Sequence, residues 1–94
     1  MKDHELKTDP IVFDDIKRGH KTFELRKDDR DYMVGDRLVL RQTAYSLEEM
    51  QKGSPFRYTG DYLIVKVKYI LYGPAYGLLD GWCIMSIELC EDKP

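Results

Sequence analysis

The sequence predicts an α+β, mainly β domain: a small, partly closed β-barrel of about five to six strands, with one main helix after the first strand. Three observations carry this expectation. Lys21–Arg26, Arg37–Gln42, Asp61–Tyr72 and Trp82–Cys90 alternate side chains with the period of two that a strand imposes. One early stretch, and no other of comparable length, repeats its apolar residues at helical spacing. The 94 residues suit a single domain, 1–94, with a modest core. Closure is expected because a small sheet with open edges invites unwanted pairing.

His4–Lys7 reads as a short first strand, with Leu6 between polar neighbours. Thr8 or Asp9 can then cap a helix, and Pro10 suits its first turn, where the missing N–H would be unpaired in any case. Val12, Phe13 and Ile16 fall on one helical face, and Gly19 supplies the stop. Lys17 and Arg18 sit in the last turn, where positive charge complements the helix dipole. Lys21–Arg26 follows as a strand, with Phe23 and Leu25 on one face and Thr22, Glu24 and Arg26 on the other. Gly35 and Asp36 turn the chain into Arg37–Gln42.

Thr43–Gly60 is the least regular part. Ser46 and Glu49 have capping-box spacing, so one or two helical turns are expected before Gly53. Its aromatic content, with Tyr45, Phe56 and Tyr58, points to an excursion over the barrel. Asp61–Tyr72 is the clearest strand, with Leu63, Val65, Val67, Tyr69 and Leu71 expected on one face. Gly73-Pro74 ends it. In Trp82–Cys90, Cys83, Met85, Ile87 and Leu89 share a face.

A net charge of −2 removes the bulk-electrostatic argument for nucleic acid that a basic chain would offer. Local balance differs. Lys17, Arg18, Lys21, Arg26, Lys27 and Arg30 outnumber Glu24, Asp28 and Asp29 in one short stretch, which suits a short, specific ligand better than a long duplex. No apolar run approaches the roughly 20 residues of a membrane span, and the N-terminal MKDHELKTDP lacks the apolar centre of a signal peptide. A cytoplasmic protein without membrane partners is expected. Cys83 and Cys90, the only cysteines, would stand on the order of 20 Å apart on one strand, too far for a disulfide. With His4 and His20 the only histidines, no spacing resembles a zinc site. Neither metal nor cofactor is expected.

The charged stretch from Gly19 to Asp36 supplies the candidate binding residues. Lys21, Thr22, Glu24 and Arg26 belong to one strand, and Arg30 to the loop after it. Lys21 and Glu24 are three apart and start on opposite faces, so they meet only if a bulge or the strand start turns Lys21. Arg26 can fork onto a phosphate or a carboxylate, or pair with Glu24 or Glu88. Lys27, Arg30 and Arg41 can instead pair with Asp28, Asp29 and Asp31. His4 and Lys7, from the first strand, can border the same mouth. Tyr58 is the preferred stacking aromatic, Trp82 is expected to pack inside, and Cys83 to be inert in an apolar setting.

The segments HELKT, GHKTFELR, DRDYMVGD, YTG and GWCIMSI together resemble the DUF3850 family, an ASCH-related group within the PUA-like fold. The likeness covers nearly the whole chain. It implies a β-barrel with a cleft beside the helix and an RNA-binding or RNA-processing role. Some ASCH proteins are amidohydrolases that act on N4-acetylcytidine through a Lys, Thr and Glu set. Lys21 matches the lysine, but Glu24 stands where the threonine nucleophile would fall.

The expected function is therefore binding of RNA, or of a nucleotide-like small molecule, in a charged cleft. The alternative is hydrolysis of a modified nucleoside with Lys21 and Glu24 in the site. A third reading is a protein-interaction accessory factor using Leu78 and Leu79. The oligomeric state is left open.

Overall fold

Seven elements follow one another in residues 1–90, the part of the chain that the computed structural model describes. They are β1 (Asp3–Thr8), α1 (Pro10–Lys17), β2 (Phe23–Lys27), β3 (Arg37–Thr43), α2 (Leu47–Gln51), β4 (Tyr58–Tyr72) and β5 (Trp82–Leu89). The five strands form one sheet in the order β1-β3-β4-β5-β2. The sheet curls into a half-barrel. All neighbours are antiparallel except β1 and β3, a parallel pair, which needs a crossover connection. That crossover carries α1.

Alternation decides what the curled sheet encloses. His4, Leu6 and Thr8 of β1, Leu38 and Leu40 of β3, Val65 and Val67 of β4, and Cys83, Met85 and Ile87 of β5 are buried. Helix α1 adds Phe13 and Ile16 to this core and packs against β3. Its N-cap, Asp9, makes no side-chain cap bond. Instead its carboxylate accepts from the Leu47 N–H at 3.2 Å, tying the start of α1 to α2. The capping box of α2 forms as expected: Ser46 accepts from Glu49 N–H, and Glu49 accepts from Ser46 N–H.

Two irregularities change the expected β4. The strand begins at Tyr58, ahead of the expected Asp61, because a register shift opposite Arg41–Thr43 lets it continue through Gly60, whose φ of +99° favours a residue without Cβ. A second shift falls between Val67 and Tyr69. The extra residue, Lys68, reverses the alternation beyond it, so Tyr69 is 66% exposed and Ile70 packs against the core in its place. Leu89, expected on the apolar face of β5, is 40% exposed.

Asp36 does more than turn the chain. Its buried carboxylate accepts from the Lys2 N–H (3.0 Å), the Met33 N–H (3.0 Å) and the His4 ring (2.8 Å). Burial works against the charged form, but these donors outweigh it and hold the carboxyl below its ordinary value. His4 also meets Tyr32 edge-on, with ring centres 4.8 Å apart. Cys83 and Cys90 are free thiols. Burial, and then Asp28 and Asp29, push the Cys83 thiol up, which suits an unreactive core position.

Because the Asp36 carboxyl is depressed in the folded state, the stability it confers is complete above the unfolded-state value near pH 4. It is lost as pH falls through the folded-state value. Asp36→Asn should cost about 1–3 kcal/mol at neutral pH and flatten the acid limb of stability. Urea denaturation midpoints measured from pH 7 down to pH 2.5 check both effects.

Candidate functional site

Glu24 lies on β2 opposite Met85 of β5, and strand parity turns it inward, where it is 2% exposed. A carboxylate so placed must be paired to remain charged. Two cations pair it. Arg26, two residues on and on the same face, donates Nε to Oε1 at 2.8 Å. Lys21 donates Nζ to Oε2 at 3.0 Å and to the Phe23 carbonyl at 2.6 Å. The three-residue spacing is no obstacle because Lys21 precedes β2. Its backbone N–H, like that of His20, bonds to the Asp15 carbonyl, so the end of α1 sets the direction from which the lysine reaches in. Both cations keep some exposure, with Lys21 at 20% and Arg26 at 25% of their side chains.

Arg26 also closes the half-barrel. β1 and β2 are the two edges of the sheet. Arg26 Nη2 donates to the Lys7 carbonyl of β1 at 3.0 Å, and Arg30 Nη1 donates to the Glu5 carbonyl at 2.9 Å. Side chains from β2 and the loop after it thus hold main-chain acceptors of the opposite edge.

A hollow of about 330 Å³ opens beside this seam. Lys7, Thr8, Asp9, Val12, Lys21, Phe23, Glu24, Leu25 and Arg26 line it. Lys21, Glu24 and Arg26 therefore converge on one concavity, and Lys7 joins them. The Thr8 hydroxyl is buried without a hydrogen-bond partner. Phe23 is 44% exposed, with the Lys21 ammonium 4.6 Å from its ring centre. A second hollow, of about 360 Å³, shares Leu25 and Arg26 with the first and adds Lys27, Arg30, Tyr32 and Trp82 among others. Trp82 is only partly buried, against the expectation that it packs inside. It also lines an apolar hollow of about 270 Å³ with Leu25, Gly77, Leu78 and Leu79.

The other sequence candidates lie elsewhere. His4 is held in the core by Asp36 and lines neither charged hollow. Thr22 is exposed and lines neither charged hollow; it borders another cleft with Ile16, Gly19 and Lys21. Tyr58 carries the Arg41 guanidinium 3.6 Å from its ring centre, so an arginine already stacks on it. The expected pairing of the loop charges also differs. Arg41 bonds to Glu5 at 2.9 Å, Arg30 to the Glu5 carbonyl, and Asp31 lies 3.5 Å from Lys2. Sequence reasoning missed Thr8, Asp9, Phe23 and Leu25 as lining residues. Thr8 and Asp9 were read as caps, and the alternation that turns Glu24 inward also sends Phe23 and Leu25 to the rim.

Chemically, the first hollow offers a carboxylate already shared by two cations, further donors on each cation and an aromatic ring, with the unpartnered Thr8 hydroxyl buried in its wall. These groups can read a polar edge and neutralise a small anion. Among the described residues, no group of three or more His, Cys, Asp or Glu is placed to hold a metal ion, and no helix is long and apolar enough to cross a membrane. A family model described as a domain of unknown function, DUF3850, matches residues 3–87. No curated protein matches the chain.

Removing the shared carboxylate would leave two cations facing one another at the seam. Glu24→Ala should cost about 3 kcal/mol, the lower end for breaking a buried pair, since both cations retain solvent. Glu24→Gln, which keeps an acceptor, should cost less. Chemical denaturation of both variants checks the order.

Proposed function

We propose that this chain, which belongs to the DUF3850 family, binds RNA or a nucleotide-like small molecule in the hollow lined by Lys21, Glu24 and Arg26. The observation that carries the reading is the convergence of these three side chains beside the unpartnered Thr8 hydroxyl. A base edge presents alternating donors and acceptors, and unpaired bases stack on aromatic faces. Phe23, unlike Tyr58, lines the same hollow, and a base stacked on it would share the ring with the Lys21 ammonium. One cation in excess of Glu24 remains to meet a phosphate. The reading takes the half-barrel as an ASCH-related, PUA-like domain that works in the cytoplasm.

A second reading, hydrolysis of a modified nucleoside such as N4-acetylcytidine, draws on the same Thr8 hydroxyl. Thr8 lines the hollow with Lys21 and Glu24. It ranks second because Lys21 already donates to two acceptors, the arrangement of a binding ammonium more than of a base, and the hydroxyl itself is closed to solvent.

Titration with single-stranded RNA at low and physiological salt should show saturable binding that weakens with salt. Lys21→Ala and Arg26→Ala should each weaken it about tenfold or more, the scale of one lost charge-assisted hydrogen bond, with folding checked by circular dichroism. No saturable binding, or variants indistinguishable from the parent, defeats the proposal. Release of cytidine from N4-acetylcytidine that is lost in both Lys21→Ala and Thr8→Val would put hydrolysis first.

A further inference from the structure

The second hollow adjoins the first, with Leu25 and Arg26 lining both. Taken singly, hollows of about 330 and 360 Å³ lie near the floor of small-ligand sites, at roughly 300 Å³. The two have a repeated composition. Each half has one incompletely buried aromatic, Phe23 in the first and Trp82 in the second, and each has its own cations besides Arg26. We infer that the two hollows act as one trough that binds two consecutive nucleotides of a single RNA strand, one in each hollow, with the linking phosphate at Arg26. This inference rests on the nucleotide-binding reading above.

Arg26 is suited to that position. A guanidinium has five N–H donors, and Arg26 commits one to Glu24 and one to the Lys7 carbonyl. Donors therefore remain at the wall that both hollows share, where a chain of nucleotides carries its phosphodiester. Arg30 commits one donor, to the Glu5 carbonyl, and stands with Lys27 in the second hollow. The two hollows are lined by Lys7, Lys21, Arg26, Lys27 and Arg30 against three carboxylates. Two of those carboxylates are engaged, Glu24 by Lys21 and Arg26 and Asp9 by the Leu47 N–H. The trough is thus positive on a chain whose net charge is −2, which favours a short polyanion bound locally over a long one held by the whole surface.

Aromatic faces favour nucleotides over an acidic peptide, since stacking contributes about 1–3 kcal/mol per base. The seam argues the same way. A peptide adding as a strand to β1 would have to displace Arg26 and Arg30 from the Lys7 and Glu5 carbonyls, whereas a nucleotide lying over the seam leaves those bonds in place.

The test is a titration of the whole chain with AMP and CMP, with the dinucleotides ApA and CpC, and with the corresponding tetranucleotides. A dinucleotide should bind at least tenfold tighter than its monophosphate, and a tetranucleotide less than about threefold tighter again. Arg30→Ala should erase the gain from mono- to dinucleotide, Arg30→Lys should restore part of it, and Lys52→Ala, which removes an exposed cation far along the chain, should leave the gain intact. Equal affinity for mono- and dinucleotide overturns the two-nucleotide trough while leaving the first hollow as a nucleotide site. An equal loss in Arg30→Ala and Lys52→Ala overturns it too, by showing general charge attraction. Failure of every probe to bind defeats both readings together.

Discussion

A carboxylate inside a strand wall imposes a condition on everything around it. Glu24, at 2% exposure, is ion-paired with both Lys21 and Arg26, and each of those residues is positioned by a different part of the fold. Lys21 is delivered by the end of α1, through the main-chain bond to Asp15. Arg26 is held by the strand it shares with Glu24 and by the carbonyl of Lys7 on the far edge. The helix and both edges of the sheet are therefore registered on one side chain. Stability alone does not call for such a device, since an apolar residue of similar volume often serves a buried site as well or better. The cluster lies beside an accessible hollow, where its remaining donors face solvent-filled space.

The half-barrel makes that presentation feasible. A fully hydrogen-bonded barrel would have no seam and no hollows along it. Here the five strands stop short of pairing β1 with β2, and two arginines bridge the remaining distance. The gap has polar walls, a floor of core residues such as Leu6 and Tyr32, and rims formed by the residues that alternation turns outward. The same parity rule that buries Glu24 exposes Phe23 and Leu25, so one short strand supplies both the charged floor and the apolar margin.

Much of this was legible in the sequence, for identifiable reasons. Strands β3 and β5 follow from strict alternation, and α1 from the spacing of Val12, Phe13 and Ile16 between Pro10 and Gly19. The capping box at Ser46 is a local pattern that needs no tertiary help. What escaped was non-local. The extra residue at Lys68 reverses the face of every later side chain in β4, and nothing in Lys66-Val67-Lys68-Tyr69 marks where the partner strand skips. Asp36 read as a turn former, while its three donors come from Lys2, His4 and Met33, two of which are remote in sequence. The site was half visible: the density of charge around Lys21, Glu24 and Arg26 pointed to it. Thr8 did not, because a threonine before a helix looks like a cap until the sheet is seen to bury it.

The bridging arginines differ from an ordinary ion pair in what they ask of their partners. Their acceptors on β1 are main-chain carbonyls, which any residue at positions 5 and 7 would supply. Mutational drift at those two positions can therefore proceed without unfastening the barrel, whereas the guanidinium ends have no such freedom. Selection on the fastening would fall on β2 and the loop after it, and the opposite strand would be left to vary its outward chemistry.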